Sequence, residues 1–209
     1  MKIKLRKALP TDADAFVYIK EQLPLTLTDG SSTKGGFLLG TNKETYIEYI
    51  TNSYCLIAED NDLVVGFGIV LPDHILRASD IWIRRAEATW NIGLEVYESK
   101  YLCYFEQFAF LPGYKRAAIT LAYHIVKRAF GEGHEVMFTT TVNKPILNLA
   151  AIPFINAANG IKAGNINETY PIIGHINSDI YLLEATTFYR QSQAHPLYPF
   201  VNRYTIDPA

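Results

Sequence analysis

Lys2 to Ala8 alternates polar and apolar residues with a period of two, the spacing of a half-buried strand. Pro10, Thr11 and Asp12 then supply a turn and a helix cap, and Ala13, Phe16, Val17 and Lys20 recur at helical spacing behind them. Residues 24–40 break every period. With Gly30, Gly35, Gly36 and Gly40 set among Ser and Thr, they predict a long mobile loop ahead of a second short helix near Lys43 to Asn52. Tyr54 to Ala58 and Leu63 to Val70 are β-rich runs on either side of the polar turn Glu59-Asp60-Asn61-Asp62, which predicts an antiparallel hairpin. Residues 73–99 read as an insertion, in which Ser79 or Asp80 caps a helix carrying Ile81, Trp82, Arg85 and Thr89 until Gly93 interrupts it.

The middle of the chain has the clearest pattern. Tyr101 to Phe110 is a strongly apolar, aromatic strand, Leu111 to Ala118 a loop, and Ile119, Ala122, Val126 and Ala129 mark one face of a helix that stops at Gly131 and Gly133. Glu135 to Val142 is the next strand; lying parallel to 101–110, it makes the helix between them a crossover. A helix near Pro145 to Ala158, a turn at Asn159-Gly160 and strands near Ile161 to Ile166 and Asp179 to Ala185 follow. Gln191 to Ala209, with three prolines, reads as a separately docked tail. The alternation of helical and strand periods over 209 residues, 49% of them hydrophobic, fits a single α/β domain.

Charge narrows the possible partners. A net charge of -2, from 19 basic and 21 acidic residues, offers no field for nucleic acid or an anionic membrane. The pairs Arg84-Arg85 and Lys127-Arg128 are isolated and read as solvated helix faces. Cys55 and Cys103 each sit inside an apolar run, as reduced buried thiols do, and the amino terminus alternates instead of building a signal-peptide core. No apolar run approaches membrane-spanning length, so a cytoplasmic location is expected. Histidines 74, 124, 134, 175 and 195 lack metal-ligand spacing, and no metal is expected.

The candidate chemistry lies between Glu106 and Thr120. Small residues at the start of a helix leave backbone N–H groups and the positive end of the helix dipole open to an anion, and Lys115 and Arg116 add charge; plain packing of a strand-to-helix loop is the alternative. Period-two counting puts Tyr104, Glu106, Phe108 and Phe110 on one face, where a carboxylate among aromatics has a raised pKa suited to a general base. The alternative is a structural carboxylate paired with an Arg or an amide. Trp82 and Trp90 read as core or lid, Tyr123 as packing, and His175 as a turn residue or a substrate contact. Gly35-Gly36 lacks the flanking strand and helix of a phosphate loop.

Together these residues resemble the GNAT acyltransferases, whose motif is Arg or Gln, two residues, Gly, one residue, then Gly or Ala, after a strand and a proline. Lys115, Ala118 and Thr120 stand at the three motif places, with Pro112, Tyr114 and Ile119 in the expected context. Asn148, Ala151, Phe154 and Gly160-Ile161 are similar to the family's Asn-x-x-Ala-x-x-Leu-Tyr-x-x-x-Gly-Phe segment with one extra residue, and Arg6-Lys7-Ala8 to its opening strand and helix. The likeness spans roughly residues 1–187. It implies a central mixed sheet with flanking helices, and a transfer of an acetyl or other acyl group from acyl-CoA to the amine of a small molecule or peptide. By resemblance Glu106 is the base, Phe108, Ala109 and Phe110 hold the acyl carbonyl and pantetheine arm, and Lys115, Arg116, Ala117, Ala118, Ile119 and Thr120, with Asn148, hold the rest of the acetyl-CoA. The family's frequent tyrosine acid falls at Phe154 or Ile155. Two other readings stand beside this one. A likeness to the acyl-homoserine-lactone synthases rests on Glu106-Gln107-Phe108, where their Arg is missing, and a CoA-binding relative without catalysis rests on the departures from the motif. The acceptor pocket is expected among the 24–40 loop, residues 73–99 and the last hairpin. A homodimer through the last strands or Tyr198 to Tyr204 is left open.

Overall fold

The computed structural model describes residues 3–25, 30–33, 36–38, 40–170 and 173–207. Met1, Lys2, Pro208, Ala209, Gly35 and parts of the 24–40 loop lie outside the described residues, and with them part of what the sequence predicts for that loop. Strand β1 (Ile3–Lys7) leads through a single 3-10 turn into helix α1 (Ala13–Glu21), followed by the two-residue strand β2 (Ser31–Ser32) and helix α2 (Lys43–Asn52). Asn42 caps α2, its Oδ1 accepting from the Thr45 amide at 2.9 Å. The hairpin is β3 (Tyr54–Asp60) and β4 (Leu63–Pro72). Its turn is tighter than the sequence suggests, because Asn61 and Asp62 alone make it, with φ of 51° and 66°, the left-handed pair that a two-residue hairpin turn requires.

Residues 73–99 form helices α3 (Asp73–Ala78) and α4 (Asp80–Ile83), a 3-10 turn, strand β5 (Thr89–Trp90) and helix α5 (Glu95–Glu98). The single helix expected through Thr89 ends at Ile83, and Thr89 pairs instead with Asn165 across an antiparallel ladder. Strand β6 (Leu102–Phe110), helix α6 (Lys115–Gly131) and strand β7 (Val136–Lys144) make the crossover unit, with β6 and β7 parallel. The buried face of α6 runs through Ala118, Leu121, Ile125 and Ala129, so the expected stripe of Ile119 and Ala122 is turned partly to solvent.

The helix expected from Pro145 is shorter: strand β8 (Leu147–Asn148) pairs with β2, and helix α7 starts only at Ile152 (Ile152–Ala157). Strands β9 (Ile161–Tyr170) and β10 (Gly174–Glu184) follow, then α8 (Ala185–Ala194), α9 (Tyr198–Val201) and β11 (Ile206–Asp207). The last segment joins the sheet, since β11 lies parallel to β1 and α9 packs on α6, where the buried His124 Nε2 meets the Val201 carbonyl at 3.0 Å.

The main sheet has the order β11-β1-β3-β4-β6-β7-β10-β9-β5 among the described residues. Two cores cover its faces. One, against α1 and α2, centres on Phe16, Tyr46 and Phe67, with Phe16 and Phe67 stacked at 4.0 Å. The other lies under α6 and includes Leu121, Ile125, Ala129 and Cys103.

Candidate active site

Two breaks in the regular ladder shape the centre of the sheet. The first is between β6 and β7, which pair only from Leu102↔Val136 to Phe105↔Thr139, although both strands run on, to Phe110 and Lys144. Beyond that point they diverge and open a wedge. On its other side β6 stays paired with β4 through Gly66↔Phe110, and the Leu111 amide donates to the Val65 carbonyl at 2.9 Å. Antiparallel hydrogen bonds alternate along a strand, so Ala109 shares Leu111's side, and the backbone groups of Phe108 and Phe110 face the wedge.

The second break is a β-bulge at Glu106. Ile69 pairs with Gln107 and the next residue, Val70, with Phe105, leaving Glu106 as an extra residue. The bulge overturns the period-two expectation that Tyr104, Glu106, Phe108 and Phe110 share a face. Leu102, Tyr104 and Ala109 pack toward α1 and α2, whereas Phe105, Phe108 and Phe110 pack toward α6. Glu106 and its neighbour Gln107 both lie on the α2 side. Tyr49 of α2 donates to Glu106 Oε1 at 3.3 Å, while buried Gln107 accepts from the Tyr46 hydroxyl at 3.1 Å and donates to Thr41 Oγ1 at 2.8 Å.

Burial pushes the Glu106 carboxyl above the usual carboxylate range; the Tyr49 hydroxyl and the Gln107 amide draw it back, and the negative charge of Glu168 pushes it further up. No Arg or Lys is paired with it among the described residues, so the structural ion-pair alternative has no partner there.

The loop from β6 to α6 is pinned at both ends. Gly113, with φ of 94°, makes the turn, and the Tyr114 hydroxyl reaches Asp60 Oδ2 at 3.3 Å. Helix α6 starts without a side-chain cap and without an acidic residue in its first turn, so its leading N–H groups and dipole remain available to an anion. Lys115 and Arg116 are exposed there, and Ala117 and Ala118 are buried. The Thr120 hydroxyl is turned back to the Arg116 carbonyl at 2.9 Å, which leaves that place small and apolar toward the helix end. Ile119 is half-buried on the same first turns. Asn148 lies in β8, where its Oδ1 accepts from the Ala150 amide at 3.2 Å. Phe154 of α7 meets Phe108 edge to face at 5.3 Å, so a phenyl ring, without a hydroxyl, closes that side of β6.

On the α1 and α2 side, residues 73–99 fold over the sheet and partly cover a cavity of about 80 Å³. Trp82 and Trp90 line it from above, and Tyr104, Phe138 and Ile180 from the sheet. The Tyr104 hydroxyl is bonded to Thr140 at 2.7 Å, and Arg84 bridges from the cover to Glu168 of β9 at 3.0 Å. The two tryptophans thus belong to a cover. His175 is exposed in the last hairpin, bonded to Thr169 at 3.1 Å. Sequence reasoning missed Tyr49, Gln107 and Glu168. Tyr49 could have been found from helical spacing, three residues after Tyr46, but nothing in the letters marks the bulge that brings Glu106 to it.

No family model and no curated protein matches the sequence. Solved structures do match. The ribosomal-protein-S18-alanine N-acetyltransferase of Escherichia coli is 13% identical, covers 88% of this chain and 94% of its own, and superposes with a TM-score of 0.59. The protein yncA of Salmonella typhimurium, solved with its cofactor acetyl-CoA, gives 13% identity, coverage of 88% and 95% and a TM-score of 0.60. The polyamine N-acetyltransferase of Drosophila melanogaster gives 10%, 88% and 100%, and 0.57. At these identities the likeness is one of fold. The chain has the mixed-sheet fold of the GNAT N-acetyltransferases, with the diverging β6–β7 pair and the β6–α6 crossover at its centre.

Proposed function

We propose that the chain is an acyl-CoA-dependent N-acyltransferase that moves an acetyl group from acetyl-CoA to a primary amine. The observation that carries this reading is the wedge between β6 and β7, which has the uncapped start of α6 at one end and the Glu106 carboxyl on the opposite face of the sheet. The residues fit the co-substrate. The N–H groups at the start of α6, with Lys115 and Arg116, would hold the pyrophosphate, and small, buried Ala117 and Ala118 let it come close. The backbone of Phe108 and Phe110 would hold the pantetheine arm and the thioester carbonyl, whose oxygen gains negative charge as the amine attacks.

Acyl transfer needs a neutral amine nitrogen, so an acceptor that arrives as an ammonium first gives one proton to solvent. Glu106, with its raised pKa, removes one proton as the C–N bond forms and the C–S bond breaks. The departing thiolate is stable enough to leave without an acid, so Phe154 in place of a tyrosine is compatible with turnover. The same residue is what favours a second reading, a protein that binds CoA without catalysis. Cys55 and Cys103 are both free and buried, in keeping with a reducing cytoplasm.

Differential scanning fluorimetry with acetyl-CoA, together with release of free CoA thiol on a panel of amines, tests the proposal. A raised melting temperature and amine-dependent thiol release are expected. An unchanged melting temperature at saturating acetyl-CoA would count decisively against both readings, and a raised one without turnover on any amine would leave the second.

A further inference from the structure

We propose that the acceptor is a primary amine of single positive charge on a short hydrocarbon body, with the body seated in the cavity under residues 73–99 and the nitrogen at Glu106. This inference rests on the acyltransferase reading and names its substrate class. The cavity lies near the base: Tyr104 and Glu168 line it, Glu106 follows Tyr104 two residues later on the α2 side of β6, about 7 Å along the strand, and the Glu106 carboxyl feels the charge of Glu168. Most of its wall is apolar or aromatic, with Trp82 and Trp90 above and Phe138 and Ile180 below, and Arg84, Arg85, Thr140 and Glu168 complete the lining.

Three observations argue against a second charge on the acceptor. The polar groups at the cavity are already committed, the Tyr104 hydroxyl to Thr140, Glu168 to Arg84 and Ser178, and Arg85 to Glu98. The one carboxylate on the lining, Glu168, is held by Arg84 at 3.0 Å, so a distal ammonium would have to displace that guanidinium to find a partner. Burying an ammonium there without an uncommitted carboxylate partner costs several kcal/mol. Size sets the other limit: about 80 Å³ is roughly half of an apolar cavity of about 150 Å³ that accepts benzene. A chain of a few carbons fits, whereas a peptide backbone, with its polar groups unpaired, does not.

Both tryptophans of the chain line this cavity, so intrinsic fluorescence reports on its occupancy without acetyl-CoA. Butylamine and putrescine differ by one terminal charge at equal chain length and make the decisive pair. Butylamine and isopentylamine are expected to change tryptophan emission saturably and putrescine to leave it unchanged. Ala88→Leu, which fills the cavity from its cover, should abolish the change while the melting-temperature shift with acetyl-CoA persists. In turnover, kcat/KM for butylamine should exceed that for putrescine at least tenfold. Equal or better use of putrescine or of a peptide amino terminus, or an emission unmoved by either monoamine, overturns the inference. If acetyl-CoA fails to bind while the monoamines still perturb the tryptophans, the acyltransferase reading falls and the cavity's ligand class stands.

Discussion

The Tyr49 hydroxyl lies 3.3 Å from Glu106 Oε1, a hydrogen bond from helix α2 onto the bulge of strand β6. It is one of the contacts that favour the charged carboxylate against burial, and it connects the first half of the chain to the proposed chemistry.

Tyr49→Phe removes a donor that favours the charged carboxylate, so the Glu106 pKa should rise further. The acid limb of the pH profile of kcat/KM should move to higher pH, with the plateau at alkaline pH reduced much less. A profile that keeps its acid limb would show that Glu106 does not set it.

Glu106→Gln should lower kcat by 10²-fold or more, the usual worth of a general base, with little change in the affinity for acetyl-CoA. The same variant reports on stability. A carboxyl whose folded pKa lies above its unfolded value, about 4.3 for Glu, binds more protons when folded, so the wild type loses stability as pH rises through that window. The variant should therefore melt higher than wild type above the folded pKa, and the difference should vanish below pH of about 4. Equal melting at pH 8 would contradict the raised pKa.

Reversing both exposed charges at the start of α6, Lys115→Glu with Arg116→Glu, should weaken acetyl-CoA binding on the order of tenfold at low ionic strength, and less in 1 M salt. Both side chains are exposed, so the melting temperature without ligand should hardly move. Isothermal titration at two salt concentrations measures this, and unaltered affinity would place the pyrophosphate elsewhere.

Gly66→Ala probes the wall of the wedge. A Cβ at Gly66 would lie 2.3 Å from the Phe110 ring, which must then swing away. Overpacking of this kind costs about 1–3 kcal/mol, and displacement of Phe110 should weaken acetyl-CoA binding as well. Unchanged stability and affinity together would mean that Phe110 has free space and takes no part in shaping the site.

The strand-loop-helix unit from Tyr101 to Gly131 was legible because its strand is a long apolar, aromatic run, its helix repeats at one period, and both carry their own punctuation, Pro112 and Gly113 at one end and Gly131 and Gly133 at the other. The Tyr54 to Val70 hairpin was legible as two β-rich runs around a polar turn. Residues 73–99 were not, because their short helices and the two-residue strand β5 are held by tertiary partners, Trp90 by Phe138 and Arg84 by Glu168, more than by local pattern. The helix expected from Pro145 lost its first turns to the β2–β8 pairing, a contact more than a hundred residues away in the chain. At the candidate site, Glu106 could be singled out as a lone carboxylate in an aromatic strand. Its facing could not, since a bulge shifts the alternation without changing a single letter.

That bulge makes Glu106 supernumerary to the sheet. Without it, Phe105 would sit toward α6, Gln107 toward α2, Phe108 toward α6 and Ala109 toward α2, an unbroken alternation in which every aromatic keeps its present side. The ladder would close over the gap, and β4 and β6 would gain a regular pairing. From Cys103 to Phe110, Glu106 alone has no partner on β4, so the sheet can hold its shape without the one residue on which the proposed chemistry turns.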